Sequence, residues 1–183
     1  MRSLLVFLLS LLLIIAALYA GYTSAIAEVA GQPPEQVRKR LQQERPLECN
    51  CTLTLAISIF VNNLFHGLFA ALVPGVGIPA ILFVCYTTGY IAGLMHVAYG
   101  SPLSPSDDFL IWITQPVVLF ELSIYALAIT AQVLLLLKAK ERGLSWDDLK
   151  TFIVVEVLLI VLLFLAAYFE AADIIAKLSR GGA

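Results

Sequence analysis

Residues 149–176 read LKTFIVVEVLLIVLLFLAAYFEAADIIA, an apolar run that carries only Lys150, Glu156, Glu170 and Asp173 as ionisable groups. A helix needs about 20 mostly apolar residues to cross about 30 Å of hydrocarbon, and this run is longer. Immediately before it, Ser145-Trp146-Asp147-Asp148 has the form of a capping box with acid in the first turn. Gly143 is placed to end the preceding helix. The pattern predicts a helical hairpin with a connection of about three residues. One helix runs to about Arg142 and the next from Trp146 to about Leu178. Each would hold ~33 residues, or about 50 Å of helix at about 1.5 Å per residue. That exceeds the hydrocarbon, so the charged end of the hairpin should project into water. As a bland feature it is a solvated helix end. As a functional one, Lys138, Lys140, Arg142, Asp147, Asp148 and Lys150 form a docking surface for a partner protein.

Working outward, four more runs have spanning length: 4–25, 52–73, 78–99 and 109–138. Composition agrees. The 183-residue chain is 61% hydrophobic and 13% charged, where a soluble domain is about half apolar and about a quarter charged. A soluble fold of this size has too little interior to hide that much apolar surface. A net charge of −2 argues against a phosphate-binding surface, so no nucleic-acid partner is expected. The expected fold is all-α: one polytopic membrane domain, 1–183, of about five transmembrane helices.

The first run has a rival reading. Arg2, the apolar stretch and Ala25-Ile26-Ala27 also fit a signal peptide with a small-residue cleavage site. The run is longer than the usual hydrophobic segment of such a leader, which favours a retained span. The polar stretch 31–51 follows. There Pro33-Pro34 opens a short helix whose stripe, Val37 and Leu41, is narrow enough to lie on protein rather than enter lipid. Glu35 with Lys39 and Arg40 with Glu44 are spaced four apart, as helix-surface pairs are. Cys49 and Cys51 are too few for a metal site and too close for an unstrained bridge. Asn50-Cys51-Thr52 fits the glycosylation pattern but adjoins a span.

Five spans put the termini on opposite sides. The N-terminus is expected inside a plasma membrane, because the hairpin's basic residues flank its spans directly.

Ionisable groups inside spans are costly and mark function by default. Counted from Leu144, Glu121 and Glu170 reach similar depth. Counted from the Val76–Gly77 turn, Asn62 and Asn63 lie level with Tyr90 and Gly89. The candidate intramembrane polar site is therefore Asn62, Asn63, His66, Thr88, Glu121 and Glu170. Two neighbouring carboxylates in low dielectric share a proton, bind a cation, or stay neutral and bond the asparagines. Ordinary glue between spans is the plainer reading. Gly89 and Gly93 allow close helix approach, here taken as a homodimer face. Pro116 should kink span four. His66 and His96 differ in depth by about 15 Å, too far to share one haem iron. No nucleophile–base pair is evident, so neither cofactor nor enzyme activity is expected.

These residues carry a resemblance. Ile59-Phe60-Val61-Asn62-Asn63, Thr88-Gly89 with Gly93, Pro116 with Glu121-Leu122, and Ala166-Ala167-Tyr168-Phe169-Glu170-Ala171 occur in an order and spacing similar to the stage II sporulation protein M (SpoIIM) family. The resemblance covers about residues 52–175. It points to Asn63, Gly89, Gly93, Pro116, Glu121 and Glu170. Thr88 stands where the family tends to have Asn, and Val117-Val118 where it tends to have His-Gly. In sporulating bacteria the family member assembles with other membrane proteins into a wall-remodelling complex, as a scaffold rather than the hydrolase. Two functions are thus expected in competition. One is a non-enzymatic subunit or scaffold that binds itself or other membrane or peripheral proteins. The alternative is a transporter or permease component moving protons, cations or a small solute past Glu121 and Glu170.

Overall fold

A computed structural model describes residues 2–44, 52–65, 72–73 and 75–181, with the side chains at 42–44, 173–174 and 176–181 left out. Among the described residues the chain is helical, with no strand. The helices are α1 (Arg2–Glu28), α2 (Pro34–Glu44), α3 (Thr52–Asn63), α4 (Gly77–Tyr99), α5 (Pro105–Ile113), α6 (Pro116–Arg142) and α7 (Trp146–Gly181). Four of them, α1, α4, α6 and α7, are long and apolar enough to cross a membrane. The chain forms a polytopic helix bundle.

Contacts along α1 give the topology. Leu18 faces Gly89 and Tyr22 faces Gly93, so α1 and α4 run parallel. Arg2 pairs with Glu141, Thr130 meets Ser10, and Tyr22 bonds Asp108, so α5 and α6 run the opposite way. Arg2 and the α6–α7 hairpin therefore share one end. Because α1 and α4 point the same way, α4 begins at the end of the bundle where α1 begins.

The described part of the expected second span is short. α3 has 12 residues, about 18 Å of helix, and a π-turn extends it through Leu64 and Phe65. Residues 66–71 and Pro74, and with them His66, lie outside the described residues. So do Cys49, Cys51 and the glycosylation pattern at Asn50, as well as the side chains of Glu44 and Asp173.

The expected continuous helix over 109–138 is corrected. Ser104 caps α5, and Thr114–Gln115 separates α5 from α6. Proline disfavours helical geometry in the residue before it, and Gln115 is extended at φ −62°, ψ 137°. Pro116 accordingly starts a helix, where its missing N–H costs nothing, instead of kinking one.

A central core runs through Ile14, Leu18, Ile81, Val84, Ile124, Ile129, Leu159 and Leu163. Outside it, Leu4, Leu5, Leu8, Leu12, Val154, Leu158 and Val161 are exposed. So much exposed apolar surface on long helices is the face a bundle turns to lipid. α2 sits on protein as expected: Val37 is fully buried with Ala25, Val29, Leu94 and Ala98, and Leu41 packs beside them. Arg40 reaches Glu28 at 2.7 Å and the Tyr90 hydroxyl at 2.8 Å, while Arg38 donates to the Ala98 carbonyl.

Candidate functional site

The polar layer counted from the sequence is partly assembled in space. Asn63, at the end of α3, donates from Nδ2 to Glu121 Oε1 at 2.8 Å. Tyr125, one turn further along α6, donates its hydroxyl to the same oxygen at 3.2 Å. Glu170 on α7 lies within electrostatic reach of Tyr125, and Glu121 within reach of Cys85 on α4. Side chains of α3, α4 and α7 thus meet the Glu121–Tyr125 turn of α6. Asn63 is buried, whereas Asn62 is exposed, with its Nδ2 3.5 Å from Asn63 Oδ1. Thr88 is half-buried on α4.

The glycines have a different use from the expected one. A Cβ on Gly89 would run into the Leu18 carbonyl, and one on Gly93 into the Tyr22 carbonyl. Gly21 faces the Tyr86 carbonyl in the same way. The small residues let α1 and α4 of one chain meet backbone to backbone. The face assigned to a homodimer is therefore internal.

The hairpin is also more self-contained than a free docking surface. Ser145 and Asp148 complete the capping box: Asp148 N donates to Ser145 Oγ, and Ser145 N to Asp148 Oδ2, both at 3.2 Å. Lys138 and Arg142 both close onto Asp148, at 3.0 and 2.8 Å. Of the expected docking residues, these three hold the turn together. Lys140 and Asp147 stay exposed, and Lys150 stands 3.9 Å from Asp147.

One polar cluster escaped the sequence reading, and a second polar group was seen only in part. At the opposite end, Asp108 accepts from Tyr22 (2.9 Å) and Ser101 (2.9 Å) and pairs with His96 Nδ1 (3.0 Å). Burial pushes the Asp108 carboxyl up, but hydrogen bonds from His96, Ser101 and Tyr22 outweigh it and hold the group below the usual range. The signal was the Ser104–Asp107 cap, which fixes α5 so that Asp108 faces Tyr22. The second is the pair Gln132 and Glu156, both fully buried, whose side-chain polar atoms have no hydrogen-bond partner among the described residues. Each stands twelve residues from Leu144, so they share a depth in the hairpin. Glu156 was noticed as an ionisable group in a span; Gln132 was not. Among the described residues no group of three or more His, Cys, Asp or Glu side chains is arranged to hold a metal ion.

The sequence profile of the SpoIIM family, stage II sporulation protein M, matches residues 3–172. The chain belongs to the SpoIIM family. The match takes in every helix that builds the site, from α1 to most of α7. Comparisons with curated proteins and with solved structures give no match. Of the positions to which the family resemblance pointed, Asn63, Glu121 and Glu170 gather around Tyr125, Gly89 and Gly93 seat α1, and Pro116 starts α6.

Proposed function

We propose that this SpoIIM-family membrane protein is a non-enzymatic subunit or scaffold of a membrane complex. The observation that carries the reading is the Asn63–Glu121 hydrogen bond. It uses an intramembrane carboxyl to join α3 to α6, which is what glue between spans does. The exposed apolar faces of α1 and α7 and the outward Lys140, Asp147 and Lys150 are the surfaces that other membrane or peripheral proteins, or further copies of the chain, would meet. We place the protein in the plasma membrane with Arg2 and the hairpin on the cytoplasmic side, since five basic residues there directly flank spans. The test is gentle co-purification of the tagged chain from its native membrane, followed by mass spectrometry. A stoichiometric protein partner is expected. Recovery of the chain by itself, or as a pure homo-oligomer, would move the weight to transport.

That second reading rests on its own observation. Glu121 and Glu170 both act on Tyr125, and Gln132 and Glu156 are buried with no hydrogen-bond partner among the described residues. Intramembrane carboxyls in such a series are the parts of proton or cation paths. Proton and cation flux in vesicles, compared for the natural chain and Glu121→Gln and Glu170→Gln, decides it. Flux that both variants abolish would establish transport, and no flux would leave the scaffold.

A further inference from the structure

A cleft of about 590 Å³ opens between the start of α1, the end of α6 and the start of α7, within the usual range of small-ligand sites, about 300–1,000 Å³. Its two ends differ in chemistry. At the mouth stand Arg2, Ser3, Lys138, Glu141, Asp148 and Thr151. Below them the walls are apolar except for Thr130, whose hydroxyl is donated to the Ala126 carbonyl, and they end at Leu127 on α6 and Leu159 on α7. Each of those leucines lies eleven residues from the charged mouth, Lys138 and Asp148 respectively, so the slot is about 16 Å deep at about 1.5 Å per residue.

We propose that this cleft binds one membrane phospholipid, with an acyl chain in the slot and the phosphodiester at Arg2 and Lys138. Depth and polarity match that of a lipid entering from the headgroup layer, because the mouth lies where the hairpin leaves the hydrocarbon. Charge supports it too. Lys138 and Arg142 share the single carboxylate of Asp148, which leaves one cation in excess beside the mouth. Arg2 pairs with Glu141, yet both remain more than half exposed, so the guanidinium keeps donors for a phosphate. Ser3 adds a hydroxyl at the same level, whereas the Thr151 hydroxyl is already donated to the Asp147 carbonyl. The lipid would tie α1 to the hairpin where the protein's own contact is the exposed Arg2–Glu141 pair. The proposal is independent of the scaffold and transport readings.

The test is native mass spectrometry of the full chain released from vesicles of phosphatidylglycerol and phosphatidylethanolamine. A one-to-one phospholipid adduct is expected to survive mild activation. The Arg2→Gln/Lys138→Gln double variant should carry at least about tenfold less, the effect of losing a charge-assisted hydrogen bond. Ala131→Phe, which fills the slot midway and keeps both cations, should lose the adduct as well. Lys39→Gln, at the other end of the bundle, should keep it. Diacylglycerol, which lacks the phosphate, should bind far less. Inorganic phosphate should not displace the lipid; displacement would mean a free-phosphate site and overturn the proposal. Equal adducts in all variants, or none in the natural chain, would overturn it too. Matching elution profiles confirm that the variants fold; Arg142 keeps the buried Asp148 paired when Lys138 is lost.

Discussion

The α1–α4 seam and the α3–α6–α7 side of the bundle are held by opposite means. The first is a contact of shape: Gly21, Gly89 and Gly93 bring backbone onto backbone. The second is a contact of polarity: Asn63 of α3 bonds Glu121 of α6, Tyr125 bonds the same carboxylate one turn on, and Glu170 of α7 acts on Tyr125. Lipid removes the hydrophobic drive that joins helices in water, which leaves close packing and hydrogen bonds to do the joining. Shape tolerates no added atom. Polar joints tolerate substitution but set which groups must stay bonded. The seam is therefore the place to look for steep stability losses, and the polar side is where function can be altered in a folded protein.

The steepest loss should come from Gly89→Leu. Its side chain meets Leu18 backbone, which cannot swing aside, so denaturant titration in micelles should show a cost of about 3 kcal/mol or more. Gly21→Val should do the same, and the pair should be less than additive because both separate one seam. A mild Gly89→Leu variant would mean that α4 gives way and the contrast is false.

Next in size is the hairpin. Ser145→Ala removes the cap of α7 and should cost about 0.5–2 kcal/mol. Asp148→Ala should cost more than Ser145→Ala in the same titration, since it also releases Lys138 and Arg142. Equal losses would show that the two cations add nothing.

On the polar side, Glu156→Met should raise stability by about 1 kcal/mol, because it removes a buried group with no hydrogen bond among the described residues. A fall instead would show that Glu156 is satisfied by something bound there. Asn63→Ala should cost only about 0.6 kcal/mol, the average for hydrogen bonds between spans. A double-mutant cycle with Glu121→Gln measures the bond itself, and zero coupling would remove it from the joint.

The smallest effect is a pH slope. Asp108 is held low in the fold, so its contribution is present above the ordinary carboxyl range and disappears as pH falls through its lowered folded value. Melting curves across the acid range should flatten in Asp108→Asn. An unchanged acid limb would assign it to other carboxyls.

Much of this architecture was legible because membrane helices announce themselves by length. The hairpin from Arg142 to Trp146 was readable to the residue, since a glycine stop and a capping box are local chemistry. The joining of Asn63 to Glu121 was within reach because both lie at countable distances from turns. What stayed hidden was partner choice. Gly89 and Gly93 signal close approach but not to which helix, and nothing local distinguishes α1 from a second copy of the chain. The Asp108 cluster was hidden for the same reason, as it draws on α1, α4 and α5.

Sequence by itself determined that the chain carries long membrane-spanning helices and where the α6–α7 hairpin turns. These follow from apolar length, caps and a fixed rise per residue, all properties of one segment at a time. Only the tertiary structure decided that α1 and α4 run side by side, that Pro116 opens a helix, and that Arg2 and Lys138 frame one cleft. Those depend on the rotation of each helix about its axis, which packing sets among all the neighbours at once.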